Sequence, residues 1–466
     1  MGMHFLVILS IYFVSFLDKP EKAVPALSDR AIELRQKWDI PTDEMDYPVS
    51  PLYQNELVKI GAKILHTSRW MNGATVEMSE EMADKVRGLT FVTAVEMTRT
   101  NSLNSVPKHL SREQAGRATE APWKRTDDQL DLYNLRPLHE AGYEGQGIVM
   151  AICDCGFFNA NTLSCFRQNE LELGHFDFTD DGTDLYGSNG THGEECLSVI
   201  SGMASDFHGA ATQAPYYLMR SEEYYTESPK ELDNLVVALE TADSLGVNIF
   251  SVSLGYYKFD NREWNLTHDD LDGKTTRASR AATIAARKGM LVCVAAGNEG
   301  DKEWEMIDVP ADADSVLTVG AVSTSGEIGY FSSHGPAADG RVKPEVCAVG
   351  VATELIDPNG NAISGNGTSF ATPLLAGMAA SLWSALPNEN AMQIRERIIR
   401  SADRYPLADK HKYGYGIPDA WKAYTMTTAI DDVQGDKVQC TKVLRGEEIL
   451  IVRHGHVYNL AGQRVQ

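Results

Sequence analysis

Residues 366–383 read NGTSFATPLLAGMAASLW. From Leu374 onward the run is apolar on nearly every side of a helix, so a helix here must be surrounded by other elements. Ser369 stands at its start, where unpaired backbone N–H groups and the helix dipole favour developing negative charge. Pro373 is expected in the first turn, where a missing N–H costs little. A central helix needs a sheet to lie against, and the neighbouring sequence supplies one. Ile148–Cys153 (IVMAIC), Tyr216–Arg220, Asn248–Leu254 (NIFSVSL), Leu291–Ala296 and Val316–Val322 are apolar runs of strand length. Between them, Leu232, Leu235, Val236, Leu239 and Ala242 mark one amphipathic helix, and Ala278–Lys288 reads as another. Strands alternating with helices predict an α/β body, a parallel sheet covered on both faces, over about residues 138–425.

Upstream the rhythm changes. Ile11–Leu17, Ala62–His66, Ala74–Met78 and Phe91–Met97 read as strands. Helices are expected from Ser28, over Pro51–Ile60, and after Ser79, which caps the third. The order is that of a split βαβ, ferredoxin-like α+β domain over residues 11–100, with one extra helix. The apolar run Phe5–Leu17 also has the length of a signal-peptide core, so residues 1–22 are expected to hold a signal segment merging with the first strand. Residues 101–137 are polar and aperiodic at first and read as a linker or processing segment. Residues 431–466 alternate short β-like runs with glycines and read as a β-rich tail.

The net charge of −23 over 466 residues argues against a nucleic-acid partner, whose phosphates would be repelled. Seven cysteines, with no CxxC pair, argue against a structural zinc site and against a disulfide framework.

Four short motifs carry chemistry. Asp154 sits just after the strand IVMAIC and just before Gly156, where an open parallel sheet gathers its active groups. His192 opens a buried helix in GTHGEECLSVISG, with Gly193 leaving room for a substrate backbone. Ser369 is a nucleophile candidate. Asn298, at the strand end LVCVAAGN, offers an amide donor to an oxyanion. The chain order is Asp, His, Ser. CDCG, HGEEC, AAGN and GTSFATP resemble the Asp, His, oxyanion and Ser motifs of the subtilases, over roughly residues 145–423.

That resemblance implies a serine endopeptidase with an Asp154/His192/Ser369 triad and Asn298 as oxyanion donor. It implies that Ser253, Leu254 and Gly255 pair with substrate and, with Ala295, Ala296 and Gly297, wall the primary specificity pocket. It implies a subtilisin-like fold, an N-terminal domain acting as inhibitory propeptide, polypeptide substrates and no cofactor. Calcium occurs in many subtilases, but no ligand motif here suggests it. A secreted or cell-envelope bacterial monomer is expected. Two rivals stand beside this reading: a catalytically silent subtilase fold serving as a binding module, and an esterase.

The chain departs from the family pattern at Cys155, where Ser or Thr is usual, and at Glu194, where Thr is usual. A carboxylate at Glu194 is expected to raise the pKa of His192. Cys196, one helical turn beyond His192, is expected beneath the imidazole.

Overall fold

In the computed structural model, residues 9–20, 23–100, 113–114, 125–167, 170–427, 441–445, 448–453 and 456–458 are described. The chain begins with β1 (Leu9–Phe16), α1 (Asp29–Lys37), α2 (Pro51–Ile60), β2 (Lys63–Ser68), β3 (Gly73–Ser79), α3 (Glu80–Arg87) and β4 (Val92–Thr100). A short strand β5 (Glu113–Gln114) and helices α4 (Asp127–Asp131) and α5 (Arg136–Glu140) precede the body. There follow β6 (Met150–Asp154), α6 (Ser164–Arg167), β7 (Glu172–Asp177), α7 (His192–Ser201), β8 (Met203–Ala204), β9 (Phe207–His208), β10 (Tyr216–Arg220) and α8 (Pro229–Leu245). Next come β11 (Ile249–Val252), α9 (Arg277–Arg287), β12 (Leu291–Ala295), β13 (Leu317–Val322), β14 (Val346–Val349), β15 (Thr353–Ile356) and β16 (Ala362–Asn366). The last elements are α10 (Thr368–Ala385), α11 (Ala391–Ser401), α12 (Ala420–Thr425), β17 (Thr441–Arg445), β18 (Glu448–Arg453) and β19 (His456–Tyr458).

The α/β body is built on a seven-stranded sheet in the order β14-β13-β12-β11-β6-β10-β7, parallel at every pairing. Its two faces are both apolar, and the period of two divides each strand between them. Met150 and Ile152 of β6 join the cluster built with α7, α10 and α11, while Ala151 and Cys153 join the one built with α8 and α9. Helix α10 packs on β11, β12, β13, β14 and α7. Leu374, Leu375, Met378 and Leu382 on it are wholly buried, and burying a side chain of that size contributes about 1.5–3 kcal/mol.

Pro373 departs from the sequence expectation. Helix α10 starts at Thr368, so the proline sits inside the helix rather than in its first turn. Its missing N–H releases the carbonyl four residues back, that of Ser369.

The N-terminal region forms a four-stranded antiparallel sheet, β2-β3-β1-β4, as the split βαβ order predicts. Ser28, Ser50 and Ser79 cap α1, α2 and α3. The run Leu9–Phe16 is an internal strand of this sheet, which accounts for its apolar character; residues 1–8 lie outside the described ones. Tyr12, Val14 and Phe16 face the domain's own core with Val76 and Met78. On the other face, Phe13 lies under the Arg277 guanidinium of α9, and Thr75 donates to Asp233 of α8.

This contact with the body is ionic and largely buried, Glu96 at its edge being exposed. Arg35 bridges Asp46 at 2.7 Å and Asp243 at 2.8 Å. Arg69 reaches the same Asp243 at 2.7 Å. Glu240 accepts from Ser68 Oγ and from the backbone N–H groups of Arg69 and Trp70. Arg277 joins Asp233 at 2.6 Å to Glu96 at 2.5 Å. Helix α8 thus presents Asp233, Glu240 and Asp243 to the N-terminal domain, beside the apolar stripe that the sequence identified.

Most of the polar stretch after residue 100 lies outside the described residues. Glu113–Gln114 is an exception: it pairs with Gly365 and Asn366, adding a third strand to the β15–β16 hairpin. Residues Thr425–Gln466 form a separate unit in which β17, β18 and β19 make a small antiparallel sheet. Among the described residues, no helix is long and apolar enough to cross a membrane.

Candidate active site

Three adjacent elements of the sheet end at one place. Strand β6 ends on Asp154, the chain after β11 continues as Ser253-Leu254-Gly255, and the chain after β12 as Ala296-Gly297-Asn298. Helices α7 and α10 begin there with His192 and with Thr368-Ser369.

His192 Nδ1 lies 2.8 Å from Asp154 Oδ1. The same oxygen accepts the N–H of Cys155, and the carboxylate is fully buried. Such a bond fixes the imidazole tautomer, leaving Nε2 as the free nitrogen. Burial works against a charged imidazole, but the Asp154 carboxylate outweighs it and holds the His192 pKa well above the usual histidine value. The close approach of α7 to β6 requires a glycine. A Cβ on Gly193 would lie 2.3 Å from the Gly156 carbonyl and 2.7 Å from Asp154 Cβ.

Ser369 Oγ donates to the Ser253 carbonyl at 3.4 Å. Among the described residues, no hydrogen bond joins it to His192, although both side chains line one cavity. Catalytic hydrogen bonds of this kind are often long before substrate binds. The Ser369 carbonyl, released by Pro373, is taken up by Ser253 Oγ at 2.8 Å and by Cys196 Sγ at 3.3 Å. Burial pushes the Cys196 thiol up to about 11, so it keeps its proton and acts as a weak donor. Its sulfur is also 3.9 Å from His192 Nδ1, against the imidazole as its spacing predicted.

Asn298 Oδ1 accepts from Thr368 N at 2.9 Å and from Thr368 Oγ1 at 3.0 Å. Oδ1 is thereby committed to α10, and the Nδ2 amide is left as the donor. The cavity wall includes Ser253, Leu254, Gly255, Ala295 and Gly297 from the expected set. Ala296 differs: its side chain is fully buried in the core, its N–H donates to the Val319 carbonyl and its own carbonyl accepts from Asp308 N.

The expectation for Glu194 is corrected. A helix turns about 100° per residue, so a residue two places beyond His192 points away from the imidazole. Glu194 is wholly buried, and its charge acts on the Cys165 thiol, while Asp154 and Cys196 act on His192.

Glu222, Glu227, Glu299, Lys302 and Asp308 also line the cavity and are not among the residues expected from the sequence. Asp308 lies between the ends of β11 and β12 and joins the cavity wall. Its sequence signal is a lone carboxylate in the apolar run Met306-Ile307-Asp308-Val309-Pro310.

Comparison with known proteins agrees with this architecture. Residues 145–416, more than half of the chain, match the model of the Subtilase family. Residues 11–116 match the Peptidase S8 propeptide domain of Bacteroidota. Subtilisin E of Bacillus subtilis (strain 168) is 25% identical over 362 residues, covering 77% of this chain and 82% of the relative. Serine protease AprX of the same organism is 27% identical over 308 residues, covering 59% of this chain and 66% of that protein. The crystal structure of MycP1 from the ESX-1 type VII secretion system shares the fold, with a TM-score of 0.53 and 19% identity, covering 70% of this chain and 94% of that one. The parallel sheet, the propeptide domain ahead of it and the family match over most of the body lead to one conclusion: this chain belongs to the subtilase family and is a serine endopeptidase.

Proposed function

We propose that Ser369, His192 and Asp154 form the catalytic triad and that Asn298 Nδ2, with the Ser369 N–H, holds the oxyanion. The observation that carries this is the 2.8 Å bond from His192 Nδ1 to a buried Asp154, with His192 and Ser369 on one cavity. Ser369 Oγ turns from the Ser253 carbonyl to His192 Nε2 and attacks the scissile carbonyl. His192 takes the proton and returns it to the leaving amine, and Asp154 stabilises the imidazolium in between. Asn298 is pre-aimed because Thr368 fixes its other end, so little reorganisation is needed as charge develops on the substrate oxygen. No cofactor enters this mechanism. The substrate is a polypeptide, the protein works as a monomer, and its place is outside the cytoplasm or in the cell envelope.

The propeptide domain acts as an intramolecular inhibitor, held on α8 by the buried ion pairs, and Glu113–Gln114 lies beside the strand that leads into Ser369. A fluorophosphonate probe tests the nucleophile. Labelling of the protein that disappears in Ser369→Ala supports the reading. No labelling of propeptide-free protein favours the silent module, to which the Ser369 Oγ bond to Ser253 lends its one observation.

A further inference from the structure

The cavity beside Ser369 is strongly acidic. Glu222, Glu227, Glu299 and Asp308 contribute carboxylates, and Lys302 is the lysine on its wall. Three of these groups are engaged elsewhere. Glu222 accepts from Tyr256 OH at 2.7 Å. Glu299 accepts from Tyr257 OH at 2.9 Å and from Lys302 Nζ at 3.0 Å, which uses that lysine as well.

Asp308 is different. It is 6% exposed, its Oδ1 has no hydrogen-bond partner, and no lysine or arginine among the described residues pairs with it. Its backbone does ordinary work, donating to Ala296 and accepting from Ala311, which any residue there would do. Its side chain stands between the two glycines of the cavity walls. A Cβ on Gly297 would lie 2.3 Å from Asp308 Oδ2, and one on Gly255 2.7 Å from Asp308 Cβ. The glycines therefore clear the space that the carboxylate occupies between the two strand ends. The Trp304 side chain is hydrogen-bonded to it, but no counter-charge is paired with it; a buried carboxylate without a paired counter-charge is destabilising, so one retained at a cavity calls for a cation that completes it.

We infer that this cavity is a primary specificity pocket for a basic side chain, in which Asp308 receives the lysine or arginine preceding the scissile bond; the inference rests on the proposed role of Ser369. Placement supports it. The cavity runs from Ser369 and Asn298, where the scissile carbonyl sits in that mechanism, to Asp308. A buried aspartate at the end of such a pocket selects basic residues on the unrelated trypsin fold, so the chemistry is sufficient. Burial and the charge of Glu299, against the smaller pull of Lys302 and Trp304, push the empty Asp308 carboxyl well above the usual carboxylate range, and the attraction of an entering cation offsets both. Glu227 and Glu299 add to the same field.

The test uses peptides that differ only at the residue before the cleaved bond, with arginine, lysine, leucine or glutamate there. Once the propeptide has been released from the full chain, the protein is expected to cleave the arginine and lysine peptides with kcat/KM about 10²-fold or more above the leucine peptide. In Asp308→Asn and Asp308→Ser, the arginine-to-leucine ratio is expected to fall by about 10²-fold. Fluorophosphonate labelling of Ser369 reports in each variant that the site is assembled. A labelled wild type that prefers leucine, or variants that keep the wild-type ratio, would overturn the pocket assignment alone. A propeptide-free wild type that neither labels nor cleaves any of the peptides overturns the triad reading and this inference with it.

Discussion

The propeptide interface and the catalytic cleft both bury carboxylates, and they treat them in opposite ways. At the interface, Asp233, Glu240 and Asp243 on α8 are met by Arg277, by Ser68 and two backbone amides, and by Arg35 with Arg69. In the cleft, Asp154 spends one oxygen on His192 and Cys155, and among the described residues its other oxygen is unbonded and Asp308 has no ion-pair partner. Satisfied acids hold two pieces of one chain together. Unsatisfied ones are poised to act on something that arrives from outside.

The sharpest separation of the two regions is Ser369→Ala. It is expected to lower kcat/KM by about 10⁴-fold or more, while denaturant unfolding of the full chain stays unchanged, because the interface does not touch the hydroxyl. The converse change is Asp243→Ala in that inactive background. It leaves Arg35 and Arg69 buried without their shared counter-charge, and unfolding should lose about 3–5 kcal/mol. The exposed pair Lys59–Glu56 is the control, and its removal should cause no measurable change. If both losses were small, the interface would be held by its apolar contacts instead.

Asn298→Ala comes next, with an expected fall in kcat of about 10²–10³-fold, the range for losing an oxyanion donor in a subtilisin. KM for a peptide should move little, since the amide acts on charge that develops only in the transition state. The smallest effect is on pH dependence. The Asp154 charge raises the His192 pKa, so the imidazolium persists to higher pH and the working base appears only above it. The acidic limb of kcat/KM should therefore lie above the ordinary histidine value of about 6.5. Asp154→Asn should move the limb of the residual activity downward, whereas Glu194→Gln should leave it in place. A limb that follows Glu194 would reverse the placement of that carboxylate.

Much of the frame was legible because its signals are local. The alternation of buried runs with helical periods predicted a parallel sheet, and β6, β10, β11, β12 and β13 follow within a residue or two. Strands β7, β14, β15 and β16 and helix α11 were not read, and β7 alternates between half-buried and exposed positions, a weak signal for a strand of a buried sheet. The N-terminal run was ambiguous because apolar length alone does not separate a leader from an internal strand; pairing with β3 and β4 does.

By itself, the sequence determined the α/β body, the split βαβ domain ahead of it, and the candidates Asp154, His192, Asn298 and Ser369. Each of these rests on a residue type at a strand end or helix start, a relation carried within a few neighbouring positions. Only the tertiary structure decided where the Ser369 carbonyl goes once Pro373 releases it. It alone placed Glu194 away from the imidazole, turned the acidic side of α8 toward the propeptide domain, and set Asp308 between Gly255 and Gly297. Those outcomes depend on which side chains meet across elements far apart in the chain, and linear spacing does not record that.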